Sequence, residues 1–391
     1  MPAPVRQRTI PSQLSCPRSG ILTAMPSRLQ RLRERTNGYT VTPQQYAYTA
    51  YVALGALTLI VLSGAAVRLT GSGLGCPDWP KCYGNAYPPL TTHAVIEFSN
   101  RMITVPVSIA AGAAWLLALR RRPYRRDLMW LGALLPLGVI GQAVLGGFTV
   151  RGALDYGWVM SHFALSMLIL LAAAMLAWRA GEAVDDGAAA TSATGSERGL
   201  VAHNGNGASA DGAPARDRRL ILSLRWLVGL GALTIFAGTA ATAAGPHAGG
   251  SPGQKINRLN FDGRGTMDFV IHRHGEIALA FGLAAVAVWW MARRRQARPL
   301  VQRSLTVLCV LIALQGAVGL DQYKTHLPTE LVWVHVGLAC GAWLAAVWAA
   351  CAAGSLTRRH ALAAPERPAG AAQGAPGERL AAARGVQFPG N

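Results

Sequence analysis

Charged residues are scarce in this chain. They make up 14% of its 391 positions, where soluble domains carry roughly a quarter, so much of the surface faces something other than water. Acidic residues are scarcer still, 18 against 37 basic, which leaves a formal net charge of +19. That excess invites a nucleic-acid reading, but no basic face interleaved with aromatics is present. The arginines sit in the tails and between apolar stretches. Nucleic-acid recognition needs the clustered face, so no nucleic acid is expected as a partner and the charge reads as a topology signal. Neither half of the chain offers cysteines or extra carboxylates at the spacing of a structural zinc site. The first apolar stretch is too long, and too far from the N-terminus, for a cleaved signal peptide.

Apolar sequence fills the gap, since 51% of residues are hydrophobic. A membrane-spanning helix takes about 20 apolar residues. Eight stretches qualify, at approximately 47–69, 93–119, 127–149, 158–178, 220–244, 269–292, 302–321 and 330–353. They are rich in Leu, Ala, Val and Gly, and the small residues suit close helix packing in lipid. The predicted fold is an all-α integral membrane protein of eight transmembrane helices.

Basic residues set the orientation. The N-terminal tail carries seven Arg and one Glu, "RRRPYRRD" joins the second and third stretches, and Arg293, Arg294, Arg295 and Arg298 join the sixth and seventh. Both termini are therefore expected in the cytoplasm of a multi-pass cell-membrane protein. The loop "GSGLGCPDWPKC" (71–82) then lies outside, where a pair such as Cys76 and Cys82 can persist as a disulfide. Cys309, Cys340 and Cys351 read as small packing residues within helices, and Cys16 lies in a reducing tail. Residues 181–217 are poor in large apolar side chains and read as a disordered linker. The expected organisation is a basic cytoplasmic tail (1–45), a four-helix half (46–180), a disordered cytoplasmic linker (181–219), a second four-helix half (220–355) and a disordered cytoplasmic tail (356–391).

The halves resemble each other. "GQAVLGGFTV" at Gly141 matches "LQGAVGLDQY" at Leu314; His162 and His335 are 173 positions apart, as are Gln142 and Gln315, and Trp115 and Trp289 are 174 apart. An even number of helices per unit makes this a parallel repeat, two pseudo-symmetric bundles about an axis along the membrane normal.

Ionisable side chains within a bilayer are costly and mark functional sites. The second stretch carries Glu97, Asn100 and Arg101; the fourth, His162; the sixth, His272, His274 and Glu276; the eighth, His335. An offset of 174 sets His274 in register with Asn100. Paired imidazoles on helices of one bundle suit haem iron, with apolar walls taking the porphyrin faces. His272 competes with His274, and the repeat register favours His274. In the first half His162 stands without a second imidazole, as suits a porphyrin that enters, reacts and leaves. Glu97 reads as a group that accepts a proton or stabilises positive charge, or as the ion-pair partner of Arg101 four positions on. His247 in "GPHAGG" reads as a turn or surface residue.

"RLTGSGLGCPDWPKC", followed by "IEFSNR" and by single histidines opening the fourth and eighth helices, resembles the haem A synthases, with "GPHAGG" similar to actinobacterial-type members. The resemblance covers about residues 45–355. It implies oxidation of the C8 methyl of haem O, through an alcohol, to the formyl of haem A, the haem of terminal cytochrome oxidases. It implies a substrate site in the first half, with Glu97 catalytic, His162 a ligand to the substrate haem, and Asn100 and Arg101 beside it. It implies haem b held between His274 and His335 in the second half, and a Cys76–Cys82 disulfide. An electron donor and the haem O synthase are the expected partners, and a homo-oligomer is left open. Many relatives have Glu-x-x-His-Arg where this chain has Glu97-x-x-Asn100-Arg101. A di-haem b electron carrier and a haem exporter are the competing readings. An exporter would use helices broken within the membrane, whereas Gly and Pro here are expected toward helix ends.

Overall fold

A computed structural model describes residues 38–196, 217–251, 253–261 and 265–354, with side chains through Val184 in the fourth helix. Eight long helices follow one another: α1 (Pro43–Leu69), α2 (Thr92–Arg120), α3 (Arg126–Arg151), α4 (Tyr156–Ser196), α5 (Arg218–Ala244), α6 (Thr266–Arg294), α7 (Pro299–Lys324) and α8 (Thr329–Ala353). All eight are long and apolar enough to cross a membrane, so this is a multi-pass membrane protein. Named strands are absent among the described residues.

Local chemistry starts the helices where the apolar runs begin. Thr42 caps α1, its hydroxyl accepting from the Gln45 N–H at 3.2 Å while the Gln45 side chain accepts from the Thr42 N–H at 3.0 Å, a reciprocal capping box. Pro43 follows at the first helical position, where its missing N–H costs nothing. Asp217 caps α5 by accepting from the N–H groups of Arg219 and Leu220, and Pro299 opens α7.

Within each half the helices form a closed ring of neighbours. α1 packs on α2, α2 on α3, α3 on α4 and α4 on α1; α5 to α8 repeat that order, as a duplicated unit would. The halves meet through α4 and α1 against α8, and α4 against α5. Lipid supplies no hydrophobic drive between helices, so small residues that admit close backbones carry the packing. Ala50, Ala53, Ala111, Ala114, Ala173, Ala174 and Ala177 are all fully buried. At the α2–α3 crossing a Cβ on Gly132 would come within 3.0 Å of the Ala114 carbonyl. Many large apolar side chains point outward, Leu59, Ile109, Leu137, Leu279 and Leu283 among them, while others such as Leu128, Leu170 and Leu305 fill the core.

Two expectations are corrected. Helix α4 continues to Ser196, well into the stretch read as a disordered linker from residue 181. The segment has no proline and is rich in alanine, the best helix former, so low hydrophobicity alone does not end a helix there. The remainder of that linker (197–216), the tail before residue 38 with Cys16, and the tail from 355 lie outside the described residues. Nor do prolines keep to helix ends: Pro106 and Pro136 lie inside α2 and α3, and both helices run on through them. Neighbouring helices tolerate this by supporting the freed backbone groups.

Candidate functional site

In the second half, His274 of α6 and His335 of α8 face each other with ring centroids 6.2 Å apart and planes at 76°. The backbones of α6 and α8 do not touch, so the two helices lie diagonally and these side chains reach across. His274 Nδ1 lies 3.1 Å from the Thr234 carbonyl of α5. A carbonyl only accepts, so Nδ1 carries the proton and Nε2 keeps its lone pair, the tautomer a metal-ligating imidazole needs. His335 Nδ1 is buried with no hydrogen-bond partner. Glycines make room for both rings. A Cβ on Gly238 would lie 3.0 Å from His274 Cε1, and one on Gly319 would lie 3.2 Å from His335 Cε1.

This arrangement fits a porphyrin iron. Two metal–imidazole bonds of about 2.0 Å, plus about 1.1 Å from each nitrogen to its ring centre, span roughly 6.2 Å. The competitor His272 is elsewhere: its ring is exposed, and its Nδ1 donates to the Asp268 carbonyl at 2.7 Å. Glu276 pairs with Arg273 at 2.6 Å on the exposed face. His247 ties two outer loops together by hydrogen-bonding the Leu327 carbonyl at 2.7 Å.

The first half has one imidazole in the matching place. His162 of α4 lies against Gly146 of α3, whose missing Cβ would sit 3.5 Å from His162 Cε1. Its Nδ1 is buried without a partner, as in His335. Gln142 donates from Nε2 to the His162 carbonyl at 3.0 Å and to the Ser166 hydroxyl at 2.9 Å. On the diagonal helix, Asn100 accepts at Oδ1 from the Ser63 hydroxyl at 2.7 Å.

One turn before Asn100 the α2 side chains seize the loop at 71–82. Cys76 and Cys82 are joined by a disulfide. Glu97, 6% exposed, accepts at Oε2 from the Cys76 N–H at 2.7 Å, and its Oε1 is paired with Arg101. Arg101 also donates to the carbonyls of Asp78 at 2.9 Å, Lys81 at 3.0 Å and Cys76 at 3.3 Å. Of the two expectations for Glu97, the ion pair with Arg101 is present, and the pair together holds the loop. Trp79 lies over α3, where a Cβ on Gly147 would come within 3.2 Å of its ring. The disulfide loop therefore roofs the helix end beside Gly146 and His162.

Several partners were not singled out in sequence. Ser72 and His93 share a hydrogen bond at 3.0 Å under the same loop, and Gly75 passes against the His93 carbonyl with no room for a side chain. The glycines facing the imidazoles carry a signal that the repeat contains: Gly146 and Gly319 are 173 apart, and Gly64 and Gly238 are 174 apart. Among the described residues no three His, Cys, Asp or Glu side chains gather as a metal cage.

The family model COX15-CtaA, described as cytochrome oxidase assembly protein, matches residues 47–347. The chain belongs to that family, the family of the haem A synthases. A heme A synthase of Lysinibacillus sphaericus is 33% identical over 138 residues, covering 34% of this chain and 45% of that protein. One from Shewanella oneidensis is 31% identical over 149 residues, covering 32% and 44%. A protoheme IX farnesyltransferase of Thermus thermophilus is 27% identical over 313 residues, covering 75% of this chain and 46% of that protein. The chain thus spans under half the length of each of these curated relatives.

Proposed function

We propose that this protein is a haem A synthase, oxidising the C8 methyl of haem O to the formyl group of haem A for assembly of terminal cytochrome oxidases. The observation that carries the reading is the asymmetry of the two bundles. One has facing imidazoles, His274 and His335, for a resident haem b; the other has His162 alone, for a substrate haem.

Turning a methyl into a formyl is a four-electron oxidation in which the carbon loses two hydrogens and gains one oxygen, so the substrate must be held with one carbon at a fixed place. Haem b, when bound, supplies electron relay. His162 gives the substrate one ligand and orients it against the α3 glycines. Glu97 sets a carboxylate close to that site to receive protons, and Arg101 keeps it in place while closing the loop above. Low water access follows from that roof. Haem O is delivered by a farnesylating partner, in keeping with the similarity to the protoheme IX farnesyltransferase of Thermus thermophilus. The protein sits in the cell membrane with both termini cytoplasmic, as the Arg-rich connections after α2 and α6 indicate.

The test is haem extraction and mass analysis after co-expression with a source of haem O. Haem b together with haem A supports the synthase. Haem b alone makes the protein an electron carrier, and no porphyrin in fixed stoichiometry makes it an exporter. His335→Ala should lose the low-spin haem b spectrum. Glu97→Gln, which keeps the side chain's shape and an acceptor for the Cys76 N–H, should retain haem b and lose conversion of haem O. Normal haem A production by that variant would remove Glu97 from the chemistry.

A further inference from the structure

At one pair of positions beside the imidazoles the two bundles differ in their chemistry. In the second half α5 presents Ala237 and Gly238, and α6 presents His274. The His274 ring lies on Gly238 and donates to the Thr234 carbonyl. Subtracting the repeat offset of 174 gives Ser63, Gly64, Asn100 and Ile60 in the first half. There the Ser63 hydroxyl lies 3.1 Å from the Ile60 carbonyl and 2.7 Å from Asn100 Oδ1. Ile60 is the register counterpart of Thr234, so a hydroxyl lies beside the carbonyl whose counterpart fixes an imidazole in the second half. Nothing comes within 4 Å of a Cβ on Gly64.

Ser63 and Asn100 therefore act as a matched replacement of Ala237 and His274. An imidazole offers a lone pair to a metal. The Asn100 amide, with its oxygen taken by the Ser63 hydroxyl, offers N–H donors instead. A neutral amide N–H cannot coordinate iron, but it does hydrogen-bond a small oxygen ligand. The space beside Gly64, unfilled by any ring, gives such a ligand room.

We propose that the Ser63–Asn100 pair keeps the axial position opposite His162 free of any protein ligand, so that the first bundle holds its porphyrin by one imidazole with the other face open to small oxygen ligands. This rests on the reading that the first bundle takes the substrate haem. It makes Asn100 and Ser63 positioning residues that set ligation number and exchangeability, while the second bundle, with two imidazoles, holds its haem permanently.

The test uses the full-length protein purified after co-expression with a haem O source. Electron paramagnetic resonance of the oxidised protein should show two populations, one low-spin and one high-spin. His162→Ala should lose the high-spin population and keep the low-spin one. In the reduced protein carbon monoxide should bind one porphyrin of the two. The double variant Ser63→Ala/Asn100→His, which copies the second bundle, should convert the high-spin signal to low-spin, lose carbon monoxide binding and retain two porphyrins per chain. A wild-type protein with two low-spin porphyrins overturns the proposal and leaves the substrate reading standing. So does a double variant that stays high-spin with both porphyrins bound. A single porphyrin per chain, insensitive to His162→Ala, removes the substrate reading, and the proposal with it.

Discussion

At the scale of single residues, the site is shaped as much by atoms withheld as by atoms supplied. Gly238 and Gly319 face the rings of His274 and His335 at distances a methyl group would make tight, so each imidazole owes its position to a missing side chain on a neighbouring helix. Overpacking a well-filled interior costs about 1–3 kcal/mol. Gly238→Ala should therefore displace the His274 ring and reduce bound low-spin haem severalfold. Gly229→Ala on the same helix, where a Cβ meets nothing within 4 Å, should leave it unchanged. Absorbance of the reduced protein per mole of chain reads both. Equal haem content in the two variants would mean that the glycine does not set the ring. This layer of the design is the least legible in sequence. The histidines stand out because ionisable groups are rare in membrane helices, whereas one glycine among 44 does not. The repeat offset does not pick them out either, since Gly229 stands 174 positions from Gly55; only the packing of α5 on α6 and α7 on α8 says what Gly238 and Gly319 are for.

At the scale of elements, helices were legible and their connections were not. A run of about 20 apolar residues has no good alternative to a spanning helix, and all eight stretches form one. Polar sequence leaves more freedom, which is why α4 continues past residue 181 into an alanine-rich segment. The outer loop was legible as a disulfide-closed unit, but its anchor was not. Arg101 was expected beside the substrate and as the ion-pair partner of Glu97; its guanidinium binds that carboxylate and four loop carbonyls, a convergence that depends on how the loop folds back over α2. Guanidinium is planar with five N–H donors, and an ammonium offers three on a point charge. Arg101→Lys should thus hold the loop poorly and Arg101→Ala not at all. The measurement is the rate at which a membrane-impermeant phosphine reduces the Cys76–Cys82 bond, followed by maleimide mass-tagging. Reduction should quicken in the order Arg, Lys, Ala by about ten- to a hundredfold overall, as expected from losing roughly 1.5–3 kcal/mol of charge-assisted hydrogen bonding. Identical rates would show that the loop stands without the clamp.

At the scale of the whole molecule, duplication raises the question of what joins the halves. The connecting segment is one candidate; the packed interface is the other, and its contacts are specific. Cys340, Trp343 and Val347 of α8 belong to the same buried apolar cluster as α1 to α4. Trp343, 3% exposed, donates its indole N–H to the Met167 carbonyl at 3.2 Å, and Trp333 donates to the Leu62 carbonyl at 3.1 Å. At the helix ends the α1–α2 and α5–α6 loops are stitched by Gly73 N–H to the Gly249 carbonyl at 2.9 Å and by the Ser251 hydroxyl to the Gly71 carbonyl at 2.7 Å. Gly71 has a positive φ of 65°, and a Cβ there would lie 3.0 Å from the Gly250 carbonyl oxygen, so the loops approach this closely only with glycine between them. An interface with a shared core and bonds at two levels holds without a covalent tether. A protease site inserted between residues 197 and 216 should be cleavable in detergent, and the two fragments should elute together with their haem. Weakening the shared core by Trp343→Ala, a large-to-small change of about 3–5 kcal/mol, should let the cleaved fragments separate while the uncut variant stays one chain. Fragments that part without the tryptophan change would assign the union to the connecting segment instead.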